Sequence, residues 1–127
     1  MLVGSACDPA PDCSAFADVA RQGQVTRTRL FDSKHQIAQR DLSGALAQER
    51  HAYDEASALA TEVASFSPAA QEHFNEAAGD LMRSENSLEV TKVPDAVDAL
   101  AQATDALAMG LASVRARSGQ VGCSGLI

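Results

Sequence analysis

The sequence predicts an all-α protein folded as an antiparallel up-down-up-down four-helix bundle. Three observations lead there. Strong helix formers, chiefly Ala, Leu, Glu, Gln and Arg, fill the stretches between a few prolines. β-Branched residues nowhere alternate over the length of a strand. Apolar residues instead recur at three- and four-residue steps, the period of an amphipathic helix. At 127 residues the chain suits a single domain. We divide it into an irregular lead or signal remnant (1–11), a helical bundle (12–117) and a C-terminal tail (118–127).

The first helix follows Pro9 and Pro11, with Asp12 as its predicted N-cap. Its stripe is Phe16, Val19, Gly23, Thr26, Leu30, Ser33 and Ile37. The next boundary carries no proline. Either one helix runs from about 13 to 65, giving a long three-helix hairpin, or the chain turns at Asp41. The segment Asp41 to Gln48 parallels Asp95 to Gln102, which follows Pro94 and starts a helix. This parallel favours a turn with Asp41 as its cap, and suggests a duplicated helical hairpin. The second stripe is Leu42, Leu46, Tyr53, Ala56, Ala60 and Val63. Ser67 then caps a third helix, with Pro68 at its first position. That helix presents Phe74, Ala77, Leu81, Glu85 and Leu88. The fourth carries Val97, Leu100, Thr104, Leu107, Leu111 and Val114, and Arg115 and Arg117 suit its C-terminal dipole. Four segments of similar length with short links favour antiparallel neighbours and bring both termini to one pole.

The predicted core is thin. Leu, Ile, Val and Phe make up only about a fifth of the chain. Much of the 46 % hydrophobic content is alanine, which buries little area per residue. Thin cores call for close helix approach or a covalent staple. The cysteines are Cys7, Cys13 and Cys123, with no CxxC spacing among them. With the termini at one pole, Cys123 can bond Cys13 or Cys7. We expect a Cys13–Cys123 bridge. It would close a loop of over a hundred residues and stabilise by roughly 4–5 kcal/mol.

That pairing leaves Cys7 over. The residues before it, Leu2-Val3-Gly4-Ser5-Ala6, are apolar and then small. This stretch resembles the lipobox of exported bacterial lipoproteins, with Gly4 where the pattern has a leucine-like residue. The resemblance covers these few residues and implies export and lipidation of Cys7.

The formal charge of −7 has the wrong sign for a nucleic-acid binder, which needs basic surface to displace counterions. No apolar run reaches the eighteen or so residues of a membrane span. His35, His51 and His73 each have an acid three residues away, in Asp32, Asp54 and Glu76. None lies on an apolar stripe, so we read these as solvated pairs rather than metal ligands. Met82 and Met109 fall at heights similar to His51, yet Met109 points away from the predicted core. We therefore assign no metal site and no cofactor. Glu49 and Glu85 fall on or near core stripes, where we expect stripe-edge carboxylates reaching water. No nucleophile elbow or phosphate-cradling loop appears, so no catalytic residue is assigned and the chain is read as not an enzyme.

On the fourth helix, Ala103, Ala106 and Gly110, with Ala108 and Ala112, form a smooth face that another helix can approach closely. We expect it to receive a protein partner, within a membrane complex or as a second copy. The function this favours is a non-enzymatic, exported bundle acting as an accessory or binding protein at the cell envelope through a helix face. Two alternatives stand beside it. One is a carrier of haem, metal or a small apolar ligand between the helices. The other is a cytosolic helical regulator with free thiols.

Overall fold

The computed structural model describes residues 13–123. Four helices follow one another: α1 (Cys13–Ala38), α2 (Leu42–Val63), α3 (Pro68–Glu89) and α4 (Val93–Gln120). No strand occurs among the described residues. Each helix packs on its neighbour in sequence and α4 returns to α1, so the chain forms the up-down-up-down bundle. α4 runs three residues into the predicted tail. Cys7 and the predicted Asp12 cap lie outside the described residues.

The chain turns at Asp41, which removes the three-helix alternative. Arg40 adopts a left-handed φ of 66°, and the Asp41 N–H donates to the Gln36 carbonyl at 2.8 Å. This bond closes the end of α1 in a Schellman-type turn. Asp41 then caps α2, its carboxylate accepting from the Gly44 N–H at 3.0 Å. At the other end of α2, Ser67 accepts from the Ala70 N–H at 3.2 Å, and Pro68 opens α3 as predicted.

The turn between α3 and α4 repeats the first one. Thr91 has a φ of 58°, and the Lys92 N–H donates to the Ser87 carbonyl at 2.8 Å. Ser33 Oγ donates to the Ala45 carbonyl at 3.4 Å, and Ser84 Oγ to the Ala96 carbonyl at 3.1 Å. Each corresponding pair, such as Ser33 and Ser84, is 51 residues apart. The duplicated hairpin is therefore present, in a register that corrects the sequence parallel between Asp41 and Asp95. Asp41 corresponds to Lys92, the N-cap position of α4, which has no side-chain cap bond. Asp95 lies within the first turn instead.

The buried face of α1 is the predicted stripe, residue for residue. On α2 and α4 the predicted stripes are buried in part: Ala56, Ala60 and Val63 on α2, and Leu100, Leu107, Leu111 and Val114 on α4. α2 buries Ala45, Glu49, Ala52, Ala56, Leu59, Ala60 and Val63, while Leu42, Leu46 and Tyr53 flank the core half-buried. α4 buries Ala96, Ala99, Leu100, Ala103, Ala106, Leu107, Gly110, Leu111 and Val114, and leaves Val97 exposed. The small residues face inward because they let backbones approach; larger side chains then close the edges.

The two chain ends meet at one pole. Gly122, at a φ of 84°, turns the chain back so that the Cys123 N–H donates to the Ser118 carbonyl at 2.7 Å. Cys123 is thereby buried and disulfide-bonded to Cys13, with the Cα atoms 5.4 Å apart. The Phe16 and Phe66 rings, 4.6 Å apart at their centroids, are also in contact.

Candidate functional site

The smooth face predicted to receive a partner is already covered. Ala103, Ala106 and Gly110 are buried within the chain, against α3. A Cβ at Gly110 would sit 2.5 Å from Cε1 of Phe74. The small residues do admit a close helix, but that helix is the chain's own.

The seam between α1 and α4 is a second candidate surface. This is the pair of neighbouring helices in least contact. The disulfide closes one end of it. Further along, Gly23 leaves room for the Leu111 side chain, which a Cβ would strike. Towards the opposite pole the seam opens into a groove of about 410 Å³. Its floor is Leu30 and Leu100, both 2 % exposed. Arg27, Phe31 and Lys34 line the α1 side. Spaced by four and three residues, they share one face of that helix. Val97, Ala101, Thr104 and Asp105 line the α4 side. Phe31 is 71 % exposed, the highest exposure among the large apolar residues, and Val97 is 38 % exposed. Thr104 donates its hydroxyl to the Leu100 carbonyl at 2.9 Å, so that donor is already used within its own helix. Arg27 and Lys34 form no ion pair among the described residues.

A second cluster lies inside the bundle. Glu49 is fully buried and Glu85 is 8 % exposed, which corrects the expectation that both reach water. Glu49 Oε2 accepts from Ser33 Oγ at 2.7 Å, while Oε1 has no hydrogen-bond partner. Burial raises the Glu49 pKa above the ordinary carboxylate range, and the Ser84 and Ser33 hydroxyls oppose that rise. Burial also raises that of Glu85, helped by the charge of Glu49 and opposed by Arg50, whose Nε lies 3.8 Å from Glu85 Oε1. Neither carboxylate lines any of the five best-formed depressions of the described residues.

Comparison with known proteins leaves this geometry to speak for itself. No family model, no curated protein and no solved structure matches the chain.

The remaining predicted positions are placed as follows. Cys13 and Cys123 come together; Cys7 is outside the described residues. His35 and His51 are exposed, and His73 Nδ1 lies 3.0 Å from Glu76 Oε1, as a pair three residues apart. Met82 and Met109 are exposed, at 41 % and 54 %. Among the described residues no three His, Cys, Asp or Glu side chains are grouped to hold a metal ion. Sequence reasoning missed Arg27, Phe31 and Lys34. The signal was available: Phe31 stands off the α1 stripe, between two cations on its own face.

No helix of the described residues is long and apolar enough to cross a membrane. Disulfides such as Cys13–Cys123 persist in oxidising compartments.

Proposed function

We propose that this protein is a non-enzymatic, exported binding protein of the cell envelope, working through the α1–α4 face. The observation that carries the reading is Phe31, 71 % exposed on the wall of an apolar groove. An aromatic side chain held in water over an apolar surface is expected where something else covers it. The disulfide supports export, because such bonds are rare in reducing cytosol. The lipobox-like residues before Cys7 support an envelope location, with lipid on Cys7 as the anchor. The partner reading thus moves from the Ala103, Ala106 and Gly110 face to the Phe31 face.

A photoreactive phenylalanine at position 31, expressed in the native host, tests this. We expect adducts in the envelope fraction from position 31 and none from a control at Val25, which is 43 % exposed and lines no described cavity. Equal labelling at both positions, or protein confined to the cytosol with free thiols, overturns the proposal.

A carrier role is the second reading. It is favoured by the groove volume, which falls within the range of small-molecule sites, about 300–1,000 Å³.

A further inference from the structure

We infer that the α1–α4 groove binds a small single-tailed amphipathic anion, such as a medium-chain carboxylate. Its tail would lie on Leu30 and Leu100 and its head between Arg27 and Lys34. The inference rests on the groove being the binding surface, as argued above, and adds the chemistry of the ligand.

Three observations combine. The first is lining. The floor is aliphatic, Phe31 and Val97 extend it upward, and Ala101 leaves its centre unfilled. Few polar groups at the edge of an apolar cleft is the usual make-up of a small-ligand site. The second is charge. The chain carries −7 overall, yet Arg27 and Lys34 stand two helical turns apart on one wall, neither in an ion pair among the described residues. Phe31 lies between them in sequence and on the same face. A tail stacked on its ring places an anionic head within reach of both cations. Asp105 on the opposite wall repels an anion there and so fixes which side the head takes. The third is size. At about 30 Å³ per heavy-atom group, comparable to a water in the liquid, 410 Å³ holds roughly a dozen non-hydrogen atoms. That matches one medium-length chain with its carboxylate.

Two other depressions, both between α3 and α4, lack this combination. The one between α3 and α4 at Arg83 and Gln102 is walled by Asp95 and Asp98, and Arg83 is already engaged by Asp80 and Gln102. The cleft at His73 and Met109 also carries Glu76, Asp80 and Asp105. Both disfavour an anion.

Calorimetric titration of the disulfide-bonded protein with decanoate, decanol and decyltrimethylammonium, each below its micelle concentration, tests the assignment. Decanoate should bind most tightly. Arg27→Gln with Lys34→Gln should weaken decanoate about tenfold, the scale of two partly desolvated ion pairs, and leave decanol unchanged. Ala101→Trp fills the groove from its exposed wall and should abolish binding, with the unfolding temperature reporting that the fold is intact. Equal binding of all three probes, insensitive to the cations, overturns the anion assignment. Decanoate binding that survives Ala101→Trp overturns the location. No binding of any probe overturns the ligand inference altogether. In that case the position 31 adducts still judge the groove as a docking face, so the two failures are distinguishable.

Discussion

The two helical hairpins share their turn geometry and build it from unlike side chains. At positions 51 residues apart, α1 buries Gly23, Thr26 and Ser33 where α3 buries Phe74, Ala77 and Ser84. α2 buries Glu49 and Leu59 where α4 buries Leu100 and Gly110. The large and small members of one packing layer are thus exchanged between the halves. The first hairpin adds polar contacts to the packing of Phe16, Val19, Leu30 and Ile37. Thr26 Oγ1 and Arg29 Nε donate to the Glu55 carboxylate at 2.9 and 2.7 Å, and Arg29 reaches Gln48 at 3.2 Å. The second hairpin is held by Phe74, Leu81 and Leu88 packed on small α4 residues. What this teaches is that the repeat preserves turn geometry rather than side-chain chemistry. It also makes α1 the weakly gripped helix, beside the groove, and the one that the disulfide secures.

The largest test of that contrast removes the staple. Replacing Cys13 and Cys123 together by Ser frees a sequence separation of 110 residues, which should cost about 4–5 kcal/mol in urea unfolding. Native-state hydrogen exchange should then rise first in α1, while α3 keeps its protection. If α3 opens as readily as α1, the two hairpins are not unequal in the way described.

Matched truncations give the next effect. Leu30 and Leu81 occupy corresponding positions in α1 and α3, at 2 % and 0 % exposure. Leu81→Ala leaves a cavity in the closed core and should cost about 3–5 kcal/mol. Leu30→Ala opens onto the groove, where water and neighbours fill the gap, and should cost about 2–3 kcal/mol. Equal losses in denaturant melts would mean that the groove floor is packed as tightly as the core.

The helices, their order, the disulfide and its pole were legible in the sequence because each rests on local signals. Ser67-Pro68 and the α1 stripe needed no partner to be read. The faces of α2 and α4 were legible only in part: Leu100, Leu107, Leu111 and Val114 point inward as read, whereas Leu42, Leu46, Tyr53 and Val97 give way to Ala45, Ala52, Ala96 and Ala103. In an alanine-rich bundle the inward side is set by how closely backbones approach, and this depends on the facing helix. The same gap hid Glu49. Its neighbour on another helix, Ser33, is what lets a carboxyl group sit at the centre. The candidate site was missed for a related reason. A groove is a property of two helices that separate; the α1 pattern of Arg27, Phe31 and Lys34 marks one wall but not the opening beside it.

Glu49→Gln sharpens the comparison between Glu49 and its counterpart Leu100. The folded-state pKa of Glu49 lies above its unfolded value, so the folded chain holds a proton that the unfolded chain has released. Stability from this site is complete below the unfolded pKa and declines as pH rises toward the folded one. Glu85, shifted the same way and opposed by Arg50, adds to this slope. Glutamine keeps an acceptor for Ser33 and removes the titration. We expect little change at pH 4.5 and a gain of about 1–2 kcal/mol at pH 8, the scale of a buried polar atom left without a partner. Chemical melts across that range check it. A variant whose stability falls with pH as steeply as the parent would move the slope away from Glu49.

The smallest effect concerns the two turns themselves. Arg40 and Thr91 both hold a left-handed backbone, at φ values of 66° and 58°. A β-branched residue is the less tolerant of the two, because its second γ-substituent crowds the backbone there. Thr91→Gly relieves this crowding, worth about 1–2 kcal/mol. Against that stands the added freedom of glycine in the unfolded chain, about 0.5–1 kcal/mol. The exposed Thr91 hydroxyl, which donates to the Val90 carbonyl at 2.7 Å, adds little to stability. We expect a net gain of about 0.5–1 kcal/mol for Thr91→Gly and a smaller one for Arg40→Gly, read as a rise in Tm of a few degrees. A loss at Thr91 alone would show that the second turn departs from the first in solution, and that the repeat ends at the helices.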